Sequence, residues 1–363
     1  MKKKKIFMTV ISILCVVFML GSVAWAGEEA PEQAEEAVEE VVLSEAAQAG
    51  ITAALGVVEE GSDLSQIIER GTLVVGVTDF APMDYREDGE WIGFDADLAR
   101  LFAQGLGIDV EFVEIDWDNK ILELNAGSID CVWNGMTLTE EVDAAMNCTE
   151  TYALNAQVVV MAADKLADYA DTESMKDLAF AAEAGSAGEA CAIEAGFDVN
   201  SVQNQAAALM EVAAGTSDAC VIDKTMADAM TGAGTSYADL GYELSLSSED
   251  YVVGFRKDSD AADMLTALFE IWKVDGTLIQ LSAKYDNAVS VAESTLTEDL
   301  VDLIGSALAS IDFDELAENV LSEIDFTSIY ENIENLAEDV NLESLASGLG
   351  DALSGLSDGA EAK

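Results

Sequence analysis

From residue 62 onward, short apolar runs rich in Val, Ile and aromatic residues alternate with longer stretches in which apolar residues recur every three or four positions. The runs predict buried strands and the recurrences predict amphipathic helices. Strands are expected at residues 73–77, 110–115, 129–133, 180–182, 219–222 and 251–255. A further continuous apolar run covers 157–161, and a strand followed by a helix is expected over 201–212. Ser62 and Asp63 cap a helix at 64–70 that Gly71 stops, and Asp95 opens one at 96–104 that ends at Gly105. Further helices are expected at 261–274 and 277–285. Strands and helices alternating at this length form parallel βαβ units, an α/β fold whose ligands sit at the carboxyl ends of the strands.

Residues 130–152 hold the most suggestive of these junctions. Asn134-Gly135 is expected to end a buried strand and Thr139 to cap the next helix. Gly135 lets backbone approach a bound molecule, amides at the helix start favour a polar or negative group, and Thr137 adds a hydroxyl. Upstream, Asp79-Phe80-Ala81-Pro82-Met83 follows the first strand, and Pro82 stiffens this loop so that Phe80 keeps one orientation. Trp117 stands at another strand end. Gly185-Ser186-Ala187 repeats the pattern of strand, glycine turn and helix start, and Asp223 closes the run 219–222.

Composition removes several alternatives. The chain has 363 residues, half of them hydrophobic, which is enough for about two domains with real cores. Its 16 basic and 71 acidic residues give a formal charge of −55, which argues against nucleic acid and anionic membranes as partners. It has no histidine, which excludes Ser-His-Asp and Cys-His catalysis and His-ligated metals; no metal or cofactor is expected. Lys2 to Lys5, an apolar run to Val23 and Ala24-Trp25-Ala26 together predict a secretory signal over 1–26, cleaved after Ala26. Residues 27–61, rich in Glu and Ala, are expected to be a solvated spacer.

Gly135-Met136-Thr137-Leu138-Thr139 resembles the Gly-Met-Thr-x-Thr block of the family 3 extracytoplasmic solute-binding proteins, the amino-acid receptors of ABC importers. Blocks at 71–77, 80–83, 93–98, 185–189, 218–223 and 275–278 agree in order and spacing, so the resemblance spans about residues 63–287. It implies a two-lobe, venus-flytrap fold with parallel and mixed sheets and two hinge crossings. Lobe one would comprise 62–156 and 251–287, lobe two 157–250, and 288–363 would be an acidic, all-α extension. It also implies a monomer that passes its solute to a membrane permease. Of the mature cysteines, Cys131 with Cys148 and Cys191 with Cys220 is the pairing that leaves such a hinge free. Free cysteines acting as small apolar residues are the main expectation. The extension repeats an apolar pattern from Ile311, Ile324 and Val340 that fits short capped helices packed together, or a docking tail for a partner.

The ligand-facing set carried over is Asp79, Phe80, Met83, Trp117, Asn134, Gly135, Met136, Thr137, Val142, Gly185, Ser186, Ala187 and Asp223. In the family an arginine after Gly-Met-Thr holds the α-carboxylate of the amino acid and an aspartate holds its ammonium. Asp223 matches the aspartate, but the arginine's place is Val142, and Ala187 stands where a hydroxyl is common. The ligand then lacks a carboxylate, or its carboxylate meets Asn134, Thr137, Ser186 and backbone amides, or Arg86 or Lys120 replaces the clamp. A small amine-bearing solute is the preferred reading. The alternatives are a dehydratase-type enzyme on the same fold, with Asp79, Glu183 or Asp223 as its acid, and a receptor that signals through its acidic tail.

Overall fold

A computed structural model describes residues 41–56 and 58–294. The expected signal segment, most of the spacer and nearly all of the C-terminal extension, with its repeat, lie outside the described residues. In chain order, α1 (Glu45–Leu55) and α2 (Asp63–Arg70) lead into β1 (Thr72–Val77). A hairpin of β2 (Tyr85–Glu87) and β3 (Glu90–Ile92) precedes α3 (Phe94–Leu106), β4 (Asp109–Glu114) and α4 (Lys120–Ala126). Then come β5 (Cys131–Thr137), α5 (Glu140–Ala145), β6 (Asn147–Cys148) and β7 (Ala153–Asn155). A second group contains β8 (Gln157–Ala162), β9 (Ala179–Glu183), α6 (Ala187–Glu194), β10 (Asp198–Val202), α7 (Gln205–Ala214), β11 (Ala219–Asp223), α8 (Lys224–Met230) and β12 (Leu240–Ser245). The chain returns through β13 (Glu249–Phe255), α9 (Ala261–Val274), α10 (Thr277–Lys284) and β14 (Ser290–Val291).

These strands make two mixed sheets. The first has the order β14-β7-β13-β5-β1-β4, with β6 also on β13; β1 runs parallel to β4 and β5, while β13 is antiparallel to β5. The second has the order β10-β9-β11-β8-β12, with β9 parallel to both neighbours and β8 antiparallel to β11. Adjacent parallel strands need a crossover, which the helices supply, and this leaves the carboxyl ends of β1, β5, β9 and β11 free of strand continuation. The chain crosses between sheets twice, at Ala156 and at residues 246–248. The two crossings are tied together, since Leu246 N donates to Gln157 O at 2.7 Å and Gln157 N to Ser247 Oγ at 2.9 Å.

Lobe one packs around aromatic rings: Trp133 meets Phe269 edge-on at 5.8 Å, and Tyr152 stacks on Phe269 at 4.8 Å. Lobe two is smaller and centres on Phe180 stacked on Phe197 at 4.0 Å. An aromatic pair adds about 1 kcal/mol beyond its buried area, so these stacks help fix helices onto sheets.

Several expectations change. Residues 45–55 fall in the expected spacer, yet α1 buries Ala47, Ile51 and Ala54 in the core of lobe one. Gly105 does not stop its helix; α3 runs on to Gly107, and a side chain at Gly105 would collide with Ile51 of α1. Asn134-Gly135 does not end β5, because hydrogen bonding to β13 carries the strand through to Thr137. The antiparallel β12 was not foreseen, and β14 extends lobe one past residue 287. All four described cysteines are free. Cys131 and Cys148 pair with β13 from opposite sides, two strand spacings or about 10 Å apart, which is beyond disulfide reach.

Candidate functional site

A cavity of about 250 Å³ lies between the two lobes. On lobe one it is lined by Phe80 after β1, Trp117 and Lys120 after β4, and Asn134, Gly135, Met136, Thr137 and Val142 from β5 and α5. On lobe two it is lined by Gly185, Ser186 and Ala187 after β9, and by Asp223 at the end of β11. Eleven of the thirteen residues expected at the site are therefore brought together. Asp79 and Met83 are not among the lining residues. Met83 is fully buried, and its Cγ lies 3.3 Å from where a side chain on Gly135 would start. Asp79 is half-buried and faces Glu114 and Arg86.

Local sequence explains how each wall is held. Phe80 N donates to Asp84 O and Asp84 N to Phe80 O, which close the proline loop and keep the Phe80 ring in place. Gly135 has φ +53°, and a Cβ there would sit 2.7 Å from Phe80 Cε1. The missing side chain admits the Phe80 ring, and Gly135 lines the cavity as well. The Asn134 amide is committed within lobe one: Oδ1 accepts from Thr78 N and Oγ1, and Nδ2 donates to Asp84 Oδ2 at 2.8 Å. Thr137 Oγ1 donates to Glu249 Oε2 at 2.9 Å, and Ser186 Oγ caps α6 by accepting from Glu189 N. These three hydroxyl and amide side chains thus already have partners in the protein.

The charged groups tell more. Asp223 accepts hydrogen bonds from Asn155 Nδ2, Gln157 Nε2 and Gln205 Nε2, all neutral donors. Burial first, and then the charge of Glu249, pushes its carboxyl up to about 7. Glu183, at the end of β9, is 2 % exposed, and burial followed by the Asp223 charge pushes it up to about 8. Its Oε1 has no hydrogen-bond partner among the described residues. Lys120 is the one basic residue of the lining, against Glu140, Glu141, Glu183 and Asp223. Its Nζ donates to Gly185 O at 3.0 Å across the lobe boundary and to Trp117 O, and lies 4.9 Å from the centre of the Trp117 ring. Burial lowers its pKa. Arg86 is held elsewhere, over Trp91 at 4.3 Å and near Glu114, and does not line the cavity.

The sequence model of the bacterial extracellular solute-binding proteins, family 3, matches residues 73–288. The chain belongs to this family. Among its relatives, the arginine-binding extracellular protein ArtP of Bacillus subtilis (strain 168) is 25% identical over 225 residues, covering 59% of this chain and 85% of the relative. The L-cystine-binding protein TcyA of the same strain is 26% identical over 232 residues, covering 62% and 85%. Among solved structures, a Streptococcus pneumoniae ABC uptake transporter substrate-binding protein with bound histidine superposes with a TM-score of 0.59 at 26% identity, covering 65% of this chain and all of that one. The ancestral amino acid-binding protein AncCDT-1, a precursor of cyclohexadienyl dehydratase, gives 0.57 at 30% identity, covering 62% and 99%. Family membership implies an extracytoplasmic location, and no described helix is long and apolar enough to cross a membrane.

Gln157, Gln205, Thr139, Glu140, Glu141 and Ala190 complete the lining and were not foreseen as ligand contacts. Glu183 was considered only as a candidate acid. The rule that selects Asp223, an acid at the carboxyl end of a buried run, selects Glu183 equally. Gln157 carried a weaker signal, as a polar residue opening an otherwise apolar run.

Proposed function

We propose that this protein captures one small amine-bearing solute, an amino acid or related cation, by closing its lobes, and presents it to the permease of an ABC importer. The observation that carries this reading is the charge of the cleft: buried Glu183 and Asp223 line a cavity whose one basic residue is Lys120. Burying carboxylates without cationic partners costs several kcal/mol, and an ammonium placed between them offsets that cost. The volume, about 250 Å³, is just below the range of about 300–1,000 Å³ usual for drug-sized ligands, which favours a single amino acid over a peptide. The names of ArtP and TcyA, an arginine and a cystine binder, support the same class of solute. Phe80 and Trp117 supply aromatic surface, and Lys120 is the group best placed to receive a carboxylate in the absence of an arginine at Val142.

A thermal-shift screen of amines, amino acids and short peptides tests this reading. Single amino acids with a free ammonium should raise the melting temperature, and Asp223→Ala should abolish the shift. A solute whose shift survives Asp223→Ala, or a response confined to peptides, overturns it.

A further inference from the structure

Resting on that reading, the charges of the cleft also specify what kind of amino acid it takes. Asp223 and Glu183 end neighbouring strands of lobe two, β11 and β9, and both line the cavity. They differ in how the protein treats them. Asp223 is surrounded by three amide donors, whereas Glu183, almost fully buried, has the side chains of Thr78 and Gln205 beside it but leaves Oε1 unpartnered. A buried carboxylate oxygen without a partner is costly, and a donor brought by a solute into the cavity that Glu183 lines relieves the cost.

We propose that Glu183 receives a second positive charge on the solute, so that the cleft is built for a dibasic amino acid. With such a ligand, the buried Glu183 and Asp223 and the solute carboxylate face Lys120 and two solute cations, while the exposed Glu140 and Glu141 of the rim and Glu249 beside Asp223 add negative charge that favours a cation further. With a monoamino acid one buried negative charge has no counterpart, and Glu183 must keep a proton. The charged groups that act on Glu183 are Asp223 from β11, which disfavours its ionised form, and Lys120 from α4, which favours it. Burial, and then the Asp223 charge, push the Glu183 carboxyl up to about 8. A dibasic solute should therefore expel the Glu183 proton at pH 7, and its affinity should rise as pH approaches 8.

Calorimetry on the full chain at pH 7, in two buffers of different ionisation enthalpy, tests this with L-lysine, L-ornithine, L-glutamine and L-leucine. L-lysine or L-ornithine should bind at least about tenfold more tightly than L-glutamine and L-leucine and release close to one proton more than these two do, since Asp223 gives up part of a proton to any ammonium. Glu183→Gln should weaken the dibasic ligand at least about tenfold more than it weakens L-glutamine, and reduce the proton release of the dibasic ligand to that seen with L-glutamine, which comes from Asp223. Equal loss for dibasic and monoamino ligands in Glu183→Gln, no preference for dibasic ligands in the wild type, or dibasic binding with no more proton release than L-glutamine overturns the role of Glu183. Failure of the cleft itself looks different: L-lysine binding that survives Asp223→Ala, or no binding by any of the four, removes the underlying reading as well.

Discussion

At the scale of single residues, the site depends on positions where a side chain is missing and on protons that burial retains. Gly185 has φ +70°, and a Cβ there would lie 2.7 Å from Asp118 Cα across the lobe boundary. Gly185→Ala should therefore lower the melting temperature modestly through backbone strain and also obstruct closure: solute affinity measured by calorimetry should fall at least about tenfold. Titration gives a second expectation. Asp95, which accepts from Gly135 N and Tyr152 Oη, is pushed up to about 7 by burial, as is Asp223, and Glu183 reaches about 8. Asp84 is raised too, by burial and then by Asp95. In the unfolded chain these groups lose their protons near pH 4, so the folded state binds more protons than the unfolded one between about pH 4 and 8. Stability present below pH 4 is then lost progressively as pH rises through 7 and 8. Melting temperatures without solute should fall from pH 5 to pH 8, and Asp95→Asn should flatten the portion up to about 7. The sequence made Asp223, Phe80 and Trp117 legible because each lies at or just past the carboxyl end of a strand. It did not reveal that Asn134 and Thr137 already have protein partners, because Thr78, Asp84 and Glu249 reach them only in the folded chain.

Among the elements, α1 and the ion pairs under lobe one carry the clearest energetic expectations. Ile51 is fully buried and fits against the surface of α3 left open by Gly105. Ile51→Ala should cost about 2–4 kcal/mol in chemical denaturation, as for other buried isoleucines. Arg256, at the end of β13, bonds Asp63 of α2 at 2.7 Å and Asp130 before β5 at 3.0 Å, and Asp130 also pairs with Arg70. Because Arg256 is a quarter exposed, screening moderates its worth, and Arg256→Ala should cost about 2 kcal/mol, with the loss diminished little by salt for the buried Asp130. Helices were read well where periodicity and caps agreed: 261–274 has the expected bounds, and Ser62 and Thr139 cap as expected. Local signals misled where tertiary contacts overrule them. Asn-Gly ordinarily signals a turn, but β13 pairs with β5 beyond it, and a glycine that looks like a helix stop serves to admit Ile51. The Ala-rich character of α1 resembled a tether, and nothing local to that segment announces the surface on α3 and α9 that it covers.

For the molecule as a whole, the two lobes and their crossings were legible because ordered blocks along the chain fixed the alternation of strands and helices. The coupling between cleft and hinge was not. Glu249, at the second crossing, accepts from Gln157 Nε2 at 2.9 Å and Asn155 Nδ2 at 3.2 Å, and those same amides also bond Asp223. A cation arriving at Asp223 would therefore act on an amide network shared with the second crossing. The central claim is that one solute is gripped by both lobes at once. Hydrogen–deuterium exchange with and without a saturating amino acid tests it most directly. Amides at 117–120 and 134–137 in lobe one and at 185–189 in lobe two should gain protection together, at the same solute concentration. Protection confined to one lobe, or arising at neither face while the solute binds elsewhere, would contradict the account.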